Sequence, residues 1–573
     1  MSTKIKTEKQ VLSKNSKLNI IILPAVLVVL ILLTFYQTTG HEFVWDDDIH
    51  IIDNSYDQID PDVSLLKYWK SDDKLLYAPV TYSTWGLIKK LSHFDPLHPD
   101  PLNFHLLNII IHILNSIFIF LILKKIFSHA LFSFLGSLVF ALHPLQVEAV
   151  AWATGSRILL AGFFSFLSIL FYLHYRKNSA RKNIFYILSI LSFFLALMSK
   201  PSSIIAPIFI ALIDLISLKN KIKKIYLSLI PFFFLMFFYV IFLLNSGKPV
   251  LNEIKPIWAR FFIFFDSICF YLYKIIYPLK LSSFYGRTPT KVMQTPWLYL
   301  SWIIPLGLFY LTWKYRTNKP KLLLAYLILI FGILPVSGFI PFEAQNWNTV
   351  ADRYMYLSMF GISILICFLF QLPKKLLLKV GLVLIIAFWI VRSAFYQVPF
   401  WQNNRILWSK TIDMFPNEYI PYNRRASLNY KEGKFQQAIR DYSQALEINP
   451  GHFKSYYGRA LAYQKQTKTD LAIQDYTVVI DNAPSDSTAI YNRAMLYLQK
   501  EEYDKAISDL NRLLMLNKKD IMALYNRAAI LFYLGHYQKA YDDLTAVKNL
   551  GGKIDPAFWE DLIEALNNME KSQ

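Results

Sequence analysis

Cysteine is almost absent from this sequence: the 573 residues include two, Cys269 and Cys367. Both lie inside apolar segments, which favours free thiols over a disulfide, so they carry no information about the redox compartment. The sequence also contains no glycine-rich phosphate loop, no His-Glu-x-x-His motif and no Cys-x-x-Cys motif. Nucleotide hydrolysis, thermolysin-type proteolysis and zinc-finger binding therefore have no support in the sequence.

Charged residues are scarce over the first 396 residues, where long apolar runs follow one another. A run of about 20 apolar residues is long enough to cross a bilayer as a helix. The sequence therefore predicts a polytopic membrane protein with a soluble C-terminal part. The net charge of +20 falls largely in short Lys/Arg clusters between the apolar runs, as in cytoplasmic loops, so it does not indicate a nucleic-acid partner.

The charge pattern also predicts the topology. The lysine-rich segment Met1–Lys17 is expected in the cytoplasm, and the first apolar run is expected to be a retained anchor because no cleavage site follows it. About eleven crossings satisfy the basic loops. The predicted spans are Ile20–Tyr36, Phe104–Leu123, Leu131–Ala151, Leu159–Tyr175, Ile184–Met198, Ser202–Leu218, Ile225–Leu244, Pro296–Trp313, Leu322–Ile340, Met355–Leu372 and Leu376–Phe395.

One apolar run, Trp258–Tyr277, leaves two topologies open. If it crosses the membrane, the basic loop Lys314–Lys321 lies outside and the C-terminal part lies in the cytoplasm. If it dips or lies in the interface, that loop is cytoplasmic and the C-terminal part is outside. We prefer the second topology because Arg260, Asp266 and Lys274 do not suit a lipid-exposed span.

A repeat with a period of 34 residues begins near Tyr422. Small residues at helix-packing positions with this period are the signature of tetratricopeptide repeats, in which helix pairs stack and leave a concave groove. The three columns that keep this spacing are Arg425, Arg459, Arg493 and Arg527; Ala426, Ala460, Ala494 and Ala528; and Ala438, Ala472, Ala506 and Ala540. Pro556–Met569 is expected to form a capping helix. The repeated Arg-Ala face is explained either by packing or by a docking groove.

The predicted fold is therefore all-α: a polytopic helical bundle in the membrane, followed by an α-solenoid. We place the membrane domain at residues 1–396, with a first outer loop at residues 41–101 in which Leu65–Trp69 and Pro79–Leu91 are short interfacial helices. A linker with a leading half-repeat follows at residues 397–421, and the repeats occupy residues 422–573.

Polar and charged residues recur where the predicted spans reach the outer side. Ionisable groups at that depth are costly unless they are solvated, paired or used, so they are candidate functional residues. Cations there would hold a phosphate as an ion pair, and a carboxylate would act as a general base. The candidates, in chain order, are Asp46, Asp47, Asp48, His105, Asn108, His143, Glu148, Arg157, Lys200, Asp352 and Arg353.

Several of these residues also have structural explanations. His105 and Asn108 can bond backbone near an interface, and His143 precedes a proline that can end a span. Asp352 and Arg353 can neutralise each other. Lys200 on the outer side runs against the charge bias, which favours a functional role.

Short motifs follow one another along nearly the whole chain. They are Phe43-Val-Trp-Asp-Asp47 with Ile51 and Asn54, Tyr77-Ala-Pro-Val80, Phe104-His-Leu-Leu-Asn108 with His112, His143-Pro-Leu-Gln-Val-Glu-Ala-Val-Ala-Trp152, Ser199-Lys-Pro201, Tyr277-Pro-Leu-Lys-Leu281 and Ala351-Asp-Arg-Tyr-Met-Tyr-Leu357. Together with the repeats, they resemble the transmembrane-and-tetratricopeptide (TMTC-type) proteins, C-type (GT-C) glycosyltransferases related to protein O-mannosyltransferases. The chain looks like the bacterial branch, except that Thr154-Gly-Ser-Arg157 stands where many bacterial relatives carry an Arg-Lys-Asp-type run.

The resemblance implies inverting transfer of a sugar, typically mannose, from a polyprenyl-phosphate carrier to a serine or threonine hydroxyl of a protein, outside the cytoplasm. It implies that Asp46 or Asp47 is the base, since family members carry paired acids there, and it leaves open which one. Arg157, Lys200 and Arg353 would bind the donor phosphate. His105, His143, Glu148 and Asp352 would line the site. Whether a divalent metal shares these acids is left open.

The predicted location is a bacterial inner membrane, with the N-terminus in the cytoplasm and the repeats outside. A different hypothesis is a non-catalytic membrane scaffold whose repeats bind other proteins, which makes no use of Asp46 and Asp47. A transporter would require broken helices or an inverted repeat, and the two halves of the sequence do not resemble each other.

Overall fold

The computed structural model describes residues 21–52, 65–70, 77–177, 181–218, 222–245, 255–339, 342–373 and 375–571. Within these ranges all regular structure is helical, as predicted. Among the features named above, Met1–Lys17, Asn54 and parts of the outer loop at residues 41–101 lie outside the described residues. The chain divides into two compact units, Met1–Phe415 and Pro416–Gln573.

The first unit is a bundle of apolar helices. Five described helices are long and apolar enough to cross a bilayer, and a sixth crossing results if one bent pair counts as a single span. Other apolar helices are shorter, so the predicted total of about eleven crossings stays a prediction. The helices are α1 (Ile21–Gly40), α2 (Pro79–Leu91), α3 (Leu102–Phe127), α4 (Ala130–Leu142), α5 (Val147–Ala151), α6 (Ser156–Tyr175), α7 (Lys182–Leu197), α8 (Ala206–Ile216), α9 (Ile222–Asn245), α10 (Ile257–Ile276), α11 (Pro289–Met293), α12 (Ile303–Lys314), α13 (Pro320–Ile333), α14 (Met359–Gln371), α15 (Leu376–Arg392) and α16 (Asn404–Met414).

The predicted continuous span Leu131–Ala151 is bent by 52° between α4 and the short helix that follows it. The bend falls at His143, whose backbone is extended, and at Pro144, which has no N–H to continue the helical hydrogen bonds. The His143 ring fixes the bend because its Nδ1 accepts a hydrogen bond from the Leu145 N–H and its Nε2 bonds to the Ile275 carbonyl. The bend sets the direction of α5, which carries Glu148.

Glycines bring helices close together around the segment that precedes α14. A methyl group on Gly162 of α6 would come within 2.7 Å of the Tyr356 ring, and one on Gly361 would come within 2.5 Å of an α13 carbonyl oxygen. A methyl group on Gly332 of α13 would collide with Ser358. Small residues permit this close approach of helices in a bilayer, and here they hold residues 353–358 between α6 and α13.

Helix α10 contains most of the run whose crossing the sequence leaves open, and it is not among the five described helices that are long and apolar enough to cross a bilayer. Its buried Asp266 forms an ion pair with Arg287. Its Lys274 donates to the carbonyl of Leu279 at 2.5 Å. These charged groups are therefore satisfied by protein partners rather than exposed to lipid.

The second unit is a series of antiparallel helix pairs. The pairs are α17 (Tyr419–Lys431) with α18 (Phe435–Ile448), α19 (Phe453–Lys465) with α20 (Thr469–Asn482), α21 (Ser487–Gln499) with α22 (Tyr503–Leu516), and α23 (Ile521–Tyr533) with α24 (Tyr537–Asn549), followed by α25 (Pro556–Lys571). All eight alanines of the two predicted columns are fully buried. The predicted periodicity is therefore a packing periodicity.

The arginine column has a structural partner in each repeat. Arg425, Arg459, Arg493 and Arg527 each bind the aspartate 16 residues later, Asp441, Asp475, Asp509 and Asp543, through two nitrogens. From the second repeat onward, the arginine also donates to a side chain of the preceding repeat. These bonds connect neighbouring repeats, which favours the packing explanation of the column.

Candidate active site

The three consecutive aspartates after α1 have different surroundings. Asp46 is half-buried, Asp47 is fully buried and Asp48 is exposed. Asp48 caps its own turn, since its Oδ1 accepts a hydrogen bond from the Ile49 N–H at 2.9 Å. The three acids that the sequence presents together are therefore not equivalent.

Asp47 is held by hydrogen bonds on both carboxylate oxygens. Its Oδ1 accepts from the N–H of Thr154 at 2.9 Å and from the Thr154 hydroxyl at 2.5 Å, and its Oδ2 accepts from the Val44 N–H at 2.9 Å. Burial raises the pKa of Asp47 to about 7, although these donors favour the ionised form. The carboxylate thus connects residues 41–52, which we call the acidic loop, to the turn that precedes α6.

Arg353 and Glu148 form an ion pair beside this loop. Arg353 Nη1 is 2.5 Å from Glu148 Oε1, and the Arg353 N–H donates to Oε2 at 2.9 Å. The Glu148 side chain is fully buried, whereas 15% of the Arg353 side chain is exposed. Burial lowers the pKa of Arg353, but the charge and hydrogen bond of Glu148, with the charges of Tyr354 and Asp46, together raise it above its usual value.

Aromatic rings surround the Arg353 guanidinium. It lies 4.9 Å from the ring centre of Trp45, 5.5 Å from that of Trp152 and 5.1 Å from that of Tyr354. The Trp45 and Trp152 rings stack on each other with centres 5.0 Å apart. Such faces stabilise a cation electrostatically and restrict its movement.

Lys200 and Arg353 line one small cavity, together with Ser202, Tyr354 and apolar side chains of α6 and α13. About 10 Å³ is available there to the centre of a water-sized sphere, which is room for about one water molecule. Burial, with the charges of Arg353 and Arg157, lowers the pKa of Lys200 to about 7. The charge of Glu148 offsets only part of this lowering. Positive charge is therefore in excess around this cavity.

Helix α2 positions the third cation. The Arg157 guanidinium lies 4.8 Å from the ring centre of Trp85 and 5.6 Å from that of Tyr82, both buried residues of α2. Trp85 is fixed in turn because its Nε1 donates to the Ser156 hydroxyl at 2.6 Å. The Thr81 hydroxyl also donates to the carbonyl of Ser199, the residue before Lys200. The predicted interfacial helix thus packs against the segments that carry both cations.

The structure places Asp352 close to this group. Its Oδ1 accepts a hydrogen bond from the Tyr285 hydroxyl at 2.6 Å. Burial and the charge of Glu148 raise the pKa of Asp352 well above its usual range. Asp352 and Arg353 are therefore not the self-neutralising pair that the sequence allowed, because each has a different partner.

The two predicted histidines have surroundings of their own. His105 is fully buried at the start of α3, with its ring centre 6.1 Å from that of His41. His143 holds the bend after α4, and its ring centre is 4.6 Å from that of Trp389. Neighbouring Asn108 donates to the carbonyls of Val150 and Trp152, which is the backbone-bonding role that the sequence allowed. The bonds of His143 and Asn108 thus serve the framework around the site.

Metal binding has no ready ligand set among the described residues. Within them, no group of three or more His, Cys, Asp or Glu side chains converges in a way that could hold a metal ion. Asp47 and Glu148, the acids most deeply buried near the acidic loop, already bond to Thr154 and Arg353.

Comparison with known proteins identifies the two units separately. Tetratricopeptide repeat models match residues 419–452, 454–486 and 487–520, which confirms the predicted repeats. Among solved structures, MamA from Desulfovibrio magneticus RS-1 is 20% identical with a TM-score of 0.25, covering 26% of this chain and 83% of that chain.

One of the curated relatives matches most of the chain, and others match about a quarter of it. The protein O-mannosyl-transferase F38B6.6 of Caenorhabditis elegans is 24% identical over 448 residues, which is 73% of this chain and 62% of that protein. The human protein O-mannosyl-transferase TMTC3 is 33% identical over 140 residues, 23% of this chain and 14% of that protein. The chain is homologous to these proteins, which are named protein O-mannosyl-transferases. It spans less than two thirds of the length of these relatives.

The homology confirms the family resemblance that the motifs indicated, with its tetratricopeptide repeats and apolar helices. A membrane glycosyltransferase is the class to which these names point. The bacterial branch, the inner membrane and the side on which the repeats lie stay predictions.

Two residues of the site were not identified from the sequence. Thr154 lies in the run that departs from the bacterial pattern, and it supplies two of the three donors to Asp47. Tyr285 lies just after the Tyr277–Leu281 motif and donates to Asp352. The departure itself was the one available signal for Thr154, while nothing in the sequence singles out Tyr285.

Proposed function

We propose that this chain is a glycosyltransferase that moves a sugar, expected to be mannose, from a polyprenyl-phosphate carrier to a serine or threonine hydroxyl of a protein. The observation that carries the proposal is the excess of positive charge around one cavity beside a half-buried carboxylate. Lys200, Arg353 and Arg157 supply three cations, and Glu148 supplies one compensating anion. The transfer takes place on the side of the membrane that the acidic loop faces, which we expect to be extracytoplasmic.

A lipid-linked phosphate suits this charge distribution. The unfavourable charge of Lys200 indicates that the cavity lacks an anion, and a phosphate would supply one through charge-assisted hydrogen bonds. The cavity lies among apolar helices, which suits a donor whose carrier stays in the bilayer. Since the cavity has room for only about one water molecule, Lys200 or Arg353 must move to admit the phosphate.

Asp46 is the carboxylate that we assign as general base. Both oxygens of Asp47 already accept hydrogen bonds, and its side chain is fully buried, so an acceptor hydroxyl cannot reach it. The raised pKa of Asp47 would suit a general base. We assign the role elsewhere because the acceptor hydroxyl cannot reach this side chain. Asp46 is half-buried and close enough to Arg353 to influence the charge there. Asp47 is then a positioning residue that fixes the loop carrying Asp46.

The proposed reaction is one displacement. The acceptor oxygen attacks the anomeric carbon while its proton passes to the Asp46 carboxylate. The bond between the anomeric carbon and the phosphate oxygen breaks, so the carrier phosphate leaves with the electron pair and the configuration inverts. The negative charge that develops on this oxygen is stabilised by the cations around the cavity. Glu148 contributes by holding Arg353 in place.

The repeats offer a surface on which an acceptor protein could bind. Helix-pair repeats of this kind present a concave surface on which extended segments of other proteins can bind. We propose that the second unit recruits the acceptor protein. The arginine column belongs to the packing of the repeats, so binding would use other residues of the concave surface.

The experiment that tests the function is sugar transfer by the purified full chain in lipid vesicles. Polyprenyl-phosphate mannose and a nucleotide-linked mannose are offered with a serine/threonine-rich peptide. The expected result is transfer from the lipid-linked donor alone, because a single phosphate matches the cation group. Transfer from the nucleotide-linked sugar would contradict the donor assignment. Transfer from neither donor, nor from other lipid-linked sugars, would favour the non-catalytic scaffold.

A further inference from the structure

Trp45, the residue immediately before Asp46, has an unusual backbone conformation. Its φ is +60°, in the left-handed region that bulky residues seldom adopt. Such a conformation persists only where surrounding contacts enforce it. The backbone of Trp45 also sets the direction in which the following residues leave, so whatever enforces this conformation also places Asp46.

The contacts that enforce it come from the far end of the first unit. The Trp45 N–H donates to Asn404 Oδ1 at 2.9 Å, and Asn404 Nδ2 approaches the carbonyl of Phe43 at 3.4 Å. The Glu42 N–H donates to the carbonyl of Gln402 at 2.9 Å. Three hydrogen bonds thus join the beginning of the acidic loop to the residues that open α16.

The Trp45 side chain is held on the same side. Its ring stacks on Trp152, lies 6.3 Å from the ring centre of Trp401 and covers the Arg353 guanidinium. Trp401 lies three residues before Asn404, so the segment that fixes the Trp45 backbone also supports its ring. On the other side of Asp46, Asp47 is fixed by Thr154.

We infer that Asn404 is a positioning residue that keeps Trp45 in its left-handed conformation and so aligns Asp46 beside Arg353. This inference rests on the proposed function for its kinetic consequence, but its structural consequence is independent of it. Asn404 suits the role because one side-chain amide both accepts from the Trp45 N–H and donates toward the Phe43 carbonyl. Without the acceptor, Trp45 would relax toward negative φ and turn Asp46 away.

The neighbouring residue provides a matched control. Asn403 caps α16, since its Oδ1 accepts from the Ile406 N–H at 2.9 Å. Among the described residues, no hydrogen bond joins its side chain to the acidic loop. Asn403→Ala therefore weakens the start of the helix that carries Asn404 while leaving the contact with Trp45 in place.

The kinetic test compares three variants of the full chain in vesicles with the lipid-linked donor. We expect Asn404→Ala to lower kcat by about 10- to 100-fold with little change in the KM for the donor, because misplacement of a reacting group by about 1 Å has effects of this size. Asn404→Asp keeps the acceptor for the Trp45 N–H and should recover most of the activity. Asn403→Ala should stay within about threefold of the wild type. Equal losses in Asn403→Ala and Asn404→Ala would overturn the inference.

A spectroscopic test separates this inference from the proposed function. The stacked Trp45 and Trp152 rings should give a near-ultraviolet circular dichroism band that Trp45→Phe removes. We expect Asn404→Ala to lose this band while Asn404→Asp and Asn403→Ala retain it. Retention of the band in Asn404→Ala would overturn the positioning role, whether or not the wild type transfers sugar. If the wild type transfers no sugar but the band behaves as expected, the proposed function fails and the positioning of Trp45 stands.

Discussion

Replacement of Glu148 by glutamine is the perturbation whose consequences follow most directly from the structure. Glu148 is fully buried and accepts two hydrogen bonds from Arg353, one from the guanidinium and one from the backbone N–H. Removing one member of a buried ion pair costs about 3–5 kcal/mol. Glutamine keeps an acceptor oxygen, so we expect a loss near 3 kcal/mol, which corresponds to about 6 °C in the midpoint of thermal unfolding at roughly 2 °C per kcal/mol.

The same variant should bind phosphate more tightly. Without Glu148, the charges of Arg353, Lys200 and Arg157 lose a buried compensating anion, so an anion in the cavity should gain affinity. A short polyprenyl phosphate at ten times its Kd stabilises the folded state by about 1.4 kcal/mol. The assay is thermal unfolding of the full chain in detergent, with and without this ligand. At one ligand concentration, we expect a larger rise of the midpoint in Glu148→Gln than in the wild type.

A second buried ion pair provides the control. Asp214 is fully buried and pairs with Arg176 at 2.5 Å, in a group that also includes Tyr172 and Ser228. Asp214→Asn should lose about as much stability as Glu148→Gln. Its affinity for phosphate should rise little, because Arg176 is a single cation surrounded by hydroxyl groups. The reasoning would be refuted if the ligand raised the unfolding midpoint of Asp214→Asn and Glu148→Gln equally. It would also be refuted if the ligand did not raise the midpoint of Glu148→Gln.

Two further predictions concern Lys200 and the repeats. Burial lowers the pKa of Lys200 to about 7, so between about pH 7 and 10.5 the unfolded chain binds a proton that the folded chain has released, and stability should rise with pH in that window. Binding of the polyprenyl phosphate at pH 8 should then take up a proton, which calorimetry in two buffers of different ionisation enthalpy measures; uptake that persists in Lys200→Met would contradict this. In the repeats, Arg493→Ala removes two bonds to Asp509 and one to Thr477, and we expect amide exchange in α21 and α22 to accelerate roughly 30-fold, for a loss of about 2 kcal/mol. Arg512→Ala removes a single hydrogen bond, to the Pro484 carbonyl, and should accelerate exchange there far less. Equal acceleration in both variants would contradict the structural role of the column.

The regular part of the fold could be predicted from the sequence because it depends on periodicity. Apolar runs and the 34-residue spacing indicated membrane helices and repeats, and the alanine columns are buried as the spacing predicts. The bend at His143 was missed because a histidine and a proline between two apolar runs do not reveal a hydrogen bond to Ile275, 132 residues away. Long-range bonds of this kind carry no local signal.

The site could be predicted only as a set of residue types. The three adjacent aspartates are chemically alike, and their different surroundings come from tertiary contacts. Asp47, for example, bonds to Thr154, which lies 107 residues later in the chain. The pairing of Arg353 with Glu148, rather than with its neighbour Asp352, likewise depends on the tertiary fold. The family resemblance narrowed the acids to Asp46 and Asp47, and access to the acceptor favours the first of them.

The measurement that tests the central claim most directly is single-turnover sugar transfer by Asp46→Asn and Asp47→Asn, each alongside its thermal unfolding. We predict that Asp46→Asn lowers the rate by 10² to 10⁴, the usual contribution of a general base, with little change in stability. Asp47→Asn should lower stability, because its amide nitrogen cannot accept and either the bonds from Thr154 or the bond from Val44 is lost, while retaining measurable transfer. Wild-type rates in Asp46→Asn, with transfer abolished in a stable Asp47→Asn, would contradict the account.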